Sequence, residues 1–253
     1  MVDEASNASA RKPSLLFVSM IGEPGRYDPA IFADIEGGDD EVFWFRSMLK
    51  KAGLLDRIAF TGVHVTRGEA LPDAESFDAI IVGGSYHSVH DNRPWQGTLK
   101  AWLNGPRERQ TPVFGICGGH QLMATMDGAT VDTIPGGPMA STQSVSLTEA
   151  GRAHFLFDGL PDIPAFHFGN YECVKNPPAG YTVLAADHRM PAMALDHGGN
   201  WFSVQFHPEA DDKAFAASWG DEEEGDYSDN YVPTPDAPKI FWNFLTGTGV
   251  LKK

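Results

Sequence analysis

Cys117 sits in the stretch GICGGHQL, residues 115–122, where an apolar run gives way to a helix-like pattern. A strand that delivers a nucleophile into a Gly-x-Nuc-x-Gly turn and then a helix is a nucleophile elbow. Glycine at 115 and 119 has a steric reason there, because the turn forces close approaches on both sides of its central residue. The sulfur would lie at the N-terminus of the next helix, whose unpaired N–H groups favour thiolate over thiol. The N–H of Gly118 could then face an oxyanion. A thiolate nucleophile also needs an imidazole, and the imidazole an orienting acceptor. The stretch WFSVQFHPE offers both, His207 at the end of an apolar run and Glu209 two residues on. A third piece is IIVGGS, residues 80–85, where the N–H of Gly84 is the natural second oxyanion donor. Each piece has a plainer reading: a packed cysteine, a strand-ending turn, a Gly-Gly turn. Their combination points to an activated cysteine nucleophile facing an oxyanion site.

The elements that would position these residues can be read from periodicity. SLLFVSM, residues 14–20, is a short buried strand, and residues 1–13 before it read as a disordered leader. DDEVFWFRSMLKKAG places Val42, Phe45, Met48 and Leu49 on one helical face, with Lys50 and Lys51 near the end and Gly53 as a stop. Residues 58–66 and 77–84 are strand-like, the second almost continuously apolar, as in a parallel sheet covered on both faces. PWQGTLKAWLNG opens on proline and ends on Asn-Gly, which predicts a helix over 94–105. TPVFGIC is another apolar run and GGHQLMATMDG another helix. Strand and helix alternating in this way predict an α/β fold with a mostly parallel central sheet flanked by helices. STQSVSLTEAG, YTVLAAD and PAMALDHGGNWFSVQF then add strands, with a hairpin turn at 197–200, so a smaller antiparallel patch is expected. Residues 218–236 combine charge with Gly, Ser and Pro and read as an acidic loop or insertion before a C-terminal apolar helix. Residues 14–253 are expected to form one domain.

Composition narrows the class. The chain has 253 residues and a formal net charge of −15, from 34 acidic and 19 basic residues. Such a surface repels phosphate backbones and anionic lipid, so neither nucleic acid nor membrane is an expected partner. Two cysteines, Cys117 and Cys173, make no disulfide framework, and the opening residues lack the apolar core of a secretory leader. A cytoplasmic setting is expected.

The ordered set VGGS, GICGGHQ and FHPE, the last two about ninety residues apart, resembles the class I (triad-type) glutamine amidotransferase family. The resemblance runs from Ser14 to about Ala210. It implies a flavodoxin-like sheet, a catalytic triad of Cys117, His207 and Glu209, and a substrate-binding role for Gln121, and Gly83 and Ser85, beside the oxyanion donors Gly84 and Gly118, are expected to bind substrate as well. It also implies a small-molecule γ-glutamyl substrate, no cofactor, and cleavage of a γ-carboxamide through a γ-glutamyl thioester. In such enzymes ammonia passes to a synthetase site, yet this chain has no P-loop pattern. Ser85 stands where many members have proline, and Phe166 to Asn170 stand where synthetase-linked members carry Ser-His-Gly-Asp. Those departures favour a free-standing hydrolase of a larger γ-glutamyl amide. The alternatives are a glutaminase serving a separate synthetase partner and a silent binding or regulatory module. A metal site at SYHSVHD, from His87, His90 and Asp91, is a weaker rival.

Overall fold

The computed structural model describes residues 11–220 and 226–252. Its centre is a seven-stranded sheet in the order β2-β1-β3-β4-β11-β10-β9. β1 (Ser14–Met20) leads through α1 (Glu41–Lys51) to β2 (Ala59–His64) and β3 (Ala79–Ser85). α2 (Pro94–Glu108), β4 (Val113–Ile116) and α3 (Gly118–Met126) follow. β5 (Thr130–Thr133), β6 (Met139–Ser144), the single turn α4 (Glu149–Arg152), β7 (Ala165–Asn170) and β8 (Glu172–Asn176) come next. β9 (Thr182–Ala185), β10 (Ala194–Gly198), β11 (Trp201–Val204), α5 (Asp212–Ser218) and α6 (Lys239–Gly247) complete the chain. Strands β2, β1, β3, β4 and β11 run parallel, whereas β10 and β9 are antiparallel additions at one edge. β5–β8 and β6–β7 form two small antiparallel pairs. This is the α/β architecture expected from the alternating pattern, with its antiparallel patch divided into two ribbons.

Alternation along β1 explains why its sequence is apolar throughout. Leu15 and Phe17 pack with Phe45, Phe114, Phe241 and Phe244 on the face covered by α1 and α6. Leu16 and Val18 pack with Leu99, Leu103, Leu122 and Met123 on the face covered by α2 and α3. Each fully buried Leu or Phe contributes about 1.5–3 kcal/mol, so both faces anchor the strands whose ends carry the site. The turn 198–200 has positive φ at all three residues (79°, 59° and 65°), which suits Gly198, Gly199 and Asn200 and closes the β10–β11 hairpin.

Some boundaries differ from the sequence reading. α2 runs past Asn104-Gly105 to Glu108, because Pro106 is buried inside it and its carbonyl accepts from Thr111 N–H at 2.9 Å. Of the leader, 1–10 lie outside the described residues. Residues 11–13 hold defined contacts, with Arg11 on Asp78 at 3.0 Å and the Pro13 carbonyl accepting from Ala59 N–H at 2.8 Å. Of the acidic stretch, 221–225 lie outside the described residues. Tyr231, within it, is buried and donates to the Phe168 carbonyl at 2.8 Å. Among the described residues no helix is long and apolar enough to cross a membrane.

Candidate active site

The parallel strands β1, β3, β4 and β11 all end on one side of the sheet, the side where open α/β folds keep their ligands. Cys117 follows β4 directly, and its N–H donates to the Val204 carbonyl at 2.8 Å, extending the pairing with β11 by one rung. Its backbone then breaks sharply, with φ 49° and ψ −103°, and it serves as N-cap of α3. A positive φ is strained for a residue with a β-carbon, the condition expected of an elbow nucleophile. The side chain is 6% exposed.

Two glycines show why the loops around it tolerate no side chain. A β-carbon on Gly118 would come within 2.6 Å of Ser85 Cβ and 2.9 Å of the Ser85 nitrogen, so the elbow and the end of β3 are in backbone contact. A β-carbon on Gly84 would meet His207 Cε1 at 2.9 Å and Cys117 Cβ at 3.9 Å. Gly84 therefore lies against both the imidazole and the nucleophile.

His207 is buried, its N–H donating at 2.9 Å to the carbonyl of His167 on β7, which ties the segment after β11 to the β6–β7 ribbon. Its Nδ1 is 2.7 Å from Glu209 Oε1, and its ring lies 4.6 Å from that of Phe215 on α5. Burial disfavours the imidazolium, but the Glu209 carboxylate and the adjoining Cys117 outweigh it and hold the imidazole well above its ordinary value. An imidazole oriented by a carboxylate and set against a cysteine is the arrangement that activates a thiol nucleophile.

Of the other sequence-derived residues, Ser85, His87 and Gln121 line the same cleft. Ser85 Oγ accepts from His87 N–H at 3.0 Å. Gln121, on the first turns of α3, donates through Nε2 to the Glu172 carbonyl at 2.8 Å and to Gln205 Oε1 at 3.2 Å, so its amide hydrogens brace β8 and the segment after β11. Gly83 packs on the carboxyl of Glu41, which a β-carbon would approach to 2.8 Å. The histidines of SYHSVHD diverge: His87 Nδ1 pairs with Asp91 at 2.9 Å, while His90 Nε2 meets the Val131 carbonyl at 2.9 Å. Among the described residues no cluster of three His, Cys, Asp or Glu side chains is placed to hold a metal. Cys173 is buried on β8, which pushes its thiol up.

Two polar residues here escaped the sequence reading. Glu41, the first residue of α1, is 4% exposed, and its Oε1 accepts the Gly84 N–H at 3.2 Å. The expected oxyanion donor is therefore already engaged, and a substrate oxygen must compete with Glu41 for it. Burial, with the nearby Glu209 carboxylate adding to it, raises Glu41 from 4.5 to about 8, against the lowering effect of Ser19, Gly84 and His207. It is a neutral acid at pH 7. Asn170, the last residue of β7, is 3% exposed and donates through Nδ2 to Cys117 Sγ at 3.2 Å and to the Gln205 carbonyl at 3.3 Å. An acid in the first turn of a helix normally signals only the helix dipole, and Asn170 had no signal beyond its place in the Phe166–Asn170 stretch.

The cleft in front of Cys117 is about 1360 Å³ and extends away from the nucleophile between Tyr27, Trp44, Tyr86, Phe215 and Trp219. Tyr86 Oη and Ser218 Oγ are 2.5 Å apart, linking the loop after β3 to α5 across it.

A family model described as glutamine amidotransferase class-I matches residues 50–221, more than half of the chain. A glutamine-hydrolyzing GMP synthase subunit from Sulfolobus acidocaldarius is 29% identical over 157 residues, 61% of this chain and 79% of that protein. The GMP synthase of Aeropyrum pernix is 33% identical over 142 residues, 56% of this chain but 25% of that protein. The chain thus spans about a quarter of that longer relative. In fold it is similar to a glutamine amidotransferase from Thermotoga maritima, with a TM-score of 0.70 at 16% identity, covering 94% of this chain and 98% of the other. A glutamine amidotransferase from Methylobacillus flagellatus gives 0.69 at 17% identity, with 94% and 96% covered. With the family model spanning the elbow, the imidazole and the carboxylate beside it, the chain belongs to the class-I glutamine amidotransferases.

Proposed function

We propose that the chain hydrolyses the γ-carboxamide of a γ-glutamyl amide larger than glutamine, through a Cys117 thioester, without handing ammonia to a synthetase. The observation that carries this reading is the size of the cleft. At about 1360 Å³ it exceeds the roughly 300–1,000 Å³ typical of a drug-sized ligand site and opens directly onto Cys117. It has room for a substituent on the scissile nitrogen.

In the first half-reaction the Cys117 thiolate adds to the γ-carbonyl carbon, forming the C–S bond while the carbonyl oxygen takes the negative charge. The N–H of Gly118, at the start of α3, and that of Gly84, exchanged from Glu41, receive that oxygen. The C–N bond then breaks, its electron pair leaving on nitrogen, which takes a proton from His207 Nε2. Nδ1 stays on Glu209, which fixes the tautomer. In the second half-reaction His207 removes a proton from water, hydroxide adds to the thioester, and glutamate departs as the thiolate reforms. Gln121 and Ser85 line the substrate's approach, while Gly83 packs on the Glu41 carboxyl.

A second reading has one specific observation behind it. The similar Sulfolobus protein is named as one subunit of a glutamine-hydrolyzing synthase, and on that reading this chain would pass ammonia to a separate partner.

The test is glutamate release by the isolated chain from glutamine and from N-substituted γ-glutamyl amides, beside a Cys117→Ala control. The expected outcome is faster release from a substituted amide than from glutamine, lost in the control by at least about 10³-fold. Release from glutamine alone, and only when a synthetase is added, would overturn the reading in favour of the second.

A further inference from the structure

Asn170 brings an amide side chain against the sulfur, and both ends of that amide call for explanation. Its orientation is fixed by the protein: the group facing the Gln205 carbonyl at 3.3 Å must be the Nδ2 donor, since two carbonyl oxygens cannot bond each other. The same Nδ2 therefore directs its second hydrogen to Cys117 Sγ at 3.2 Å. That leaves Oδ1 as the acceptor end, and Oδ1 is buried with no hydrogen-bond partner among the described residues. An unmatched buried amide oxygen costs about 1–3 kcal/mol, so such atoms stand out where they occur. Asn170 itself lines the cleft next to the nucleophile.

We propose that Asn170 is a catalytic residue of the acylation step, its Nδ2–H steadying the Cys117 thiolate and its vacant Oδ1 accepting an N–H of the scissile carboxamide. The second half rests on the amide-hydrolase reading above. A γ-carboxamide, primary or singly substituted, carries an N–H beside the carbon under attack; an ester does not. Holding that N–H on Oδ1 sets the nitrogen for the proton from His207. As the C–N bond breaks, the pair stays on nitrogen and the departing amine keeps its hydrogen bond to Oδ1. Asn170 itself gives up and gains no proton. A carboxylate here would place a second negative charge against the sulfur, whereas the amide supplies one donor and one acceptor without charge.

Two substitutions separate the two ends. Asn170→Asp keeps the shape and an acceptor oxygen but loses the donor to sulfur; Asn170→Ala loses both. The first readout is alkylation of Cys117 by iodoacetamide at pH 7, followed by mass spectrometry of the Cys117 peptide separately from that of Cys173. Both variants are expected to react roughly 10–100-fold more slowly than wild type, the loss of one hydrogen bond to a charged group. The second readout is kcat/KM on a γ-glutamyl anilide against a γ-glutamyl ester. Asn170→Asp is expected to lower both substrates together, and Asn170→Ala to lower the anilide about 10-fold further than the ester. A merely structural role would not separate amide from ester.

Alkylation at the wild-type rate in both variants would overturn the sulfur contact. An unchanged anilide-to-ester ratio in Asn170→Ala would overturn the acceptor role. If wild-type chain cleaves neither substrate, the proposed function falls and the acceptor role with it, while alkylation still decides the contact with Cys117. Should either variant fail to fold, as read by its unfolding midpoint, the other decides the sulfur contact, and Asn170→Ser replaces Asn170→Ala in the ratio test.

Discussion

Two histidine clusters are built from the same two stretches of chain, 117–120 and 197–209, and end in opposite electrostatic states. His207, after β11, is buried, and His120, three residues beyond Cys117 on α3, is completely so. His120 Nδ1 lies 2.8 Å from Ser203 Oγ on β11, and His197 Nε2 on β10 lies 2.6 Å from the same hydroxyl. Burial lowers both imidazoles to about 3, and each feels a neighbouring cation or imidazole besides, Arg107 for His197 and His197 for His120. His207 undergoes the same burial and goes the other way, because a carboxylate and a thiol face it. Burial alone therefore does not decide a histidine's charge; the partner does. One hydroxyl can donate to the first neutral ring and accept from the second, so the Ser203 cluster is an uncharged structural joint between α3, β10 and β11. The Glu209 cluster is a held charge.

Turning one cluster into the other is the most severe test. Glu209→Gln leaves His207 with a neutral partner, as Ser203 leaves His197, and the imidazolium loses its main support. Glutamate release is expected to fall by about 10³–10⁴-fold, with KM changing far less, measured by steady-state kinetics. Retention of more than a tenth of wild-type kcat would show that the thiol alone keeps His207 charged.

The next effect concerns Glu41, which adds a third state beside the two clusters, an acid held neutral. Its folded-state value of about 8 lies above the ordinary 4.5, so the folded chain keeps a proton that the unfolded chain releases. Stability from this group is therefore full below pH 4.5 and declines as pH rises toward 8, by about 1.4 kcal/mol per pH unit at most. Glu41→Gln, which keeps an acceptor for Gly84 N–H, is expected to be more stable than wild type at pH 8 and to lose that advantage near pH 5. Denaturant unfolding across this range checks it, and a constant difference between the two proteins would rule it out.

Ser203→Ala carries the smallest effect. It strips both rings of their shared hydroxyl and leaves two buried nitrogens unpaired, which costs about 1–3 kcal/mol. The unfolding midpoint should drop while glutamate release at 25 °C stays within twofold. A large loss of activity with full stability would mean that this cluster reaches the nucleophile through α3.

How much of the site could be read in advance follows the same division. Cys117, His207 and Glu209 lie in short strings whose chemistry depends on local spacing, so the linear sequence exposes them. The parallel strands are equally visible, since residues such as Leu15 to Val18 must be apolar on both faces. Glu41 and Asn170 are different. Their burial comes from α1 crossing the end of β3 and from the β6–β7 ribbon closing against β11, contacts between segments more than thirty residues apart. The direction of the Gly84 N–H was hidden for that reason too. The helix over 94–105 runs on to Glu108, with Pro106 buried inside it and its carbonyl accepting from Thr111 N–H, which the local stop at Asn-Gly does not show.

The backbone at Cys117, with φ 49° and a β-carbon, holds a conformation that costs about 1–3 kcal/mol. Glycine alone adopts it freely, so reactivity and foldability pull residue 117 toward different amino acids. In a descendant of this chain released from chemistry, that position is the first where drift would be rewarded, and Gly-Ile-Gly-Gly-Gly in place of Gly-Ile-Cys-Gly-Gly would be its signature. Persistence of the thiol in a lineage is thus a record of continuing use, legible without an assay.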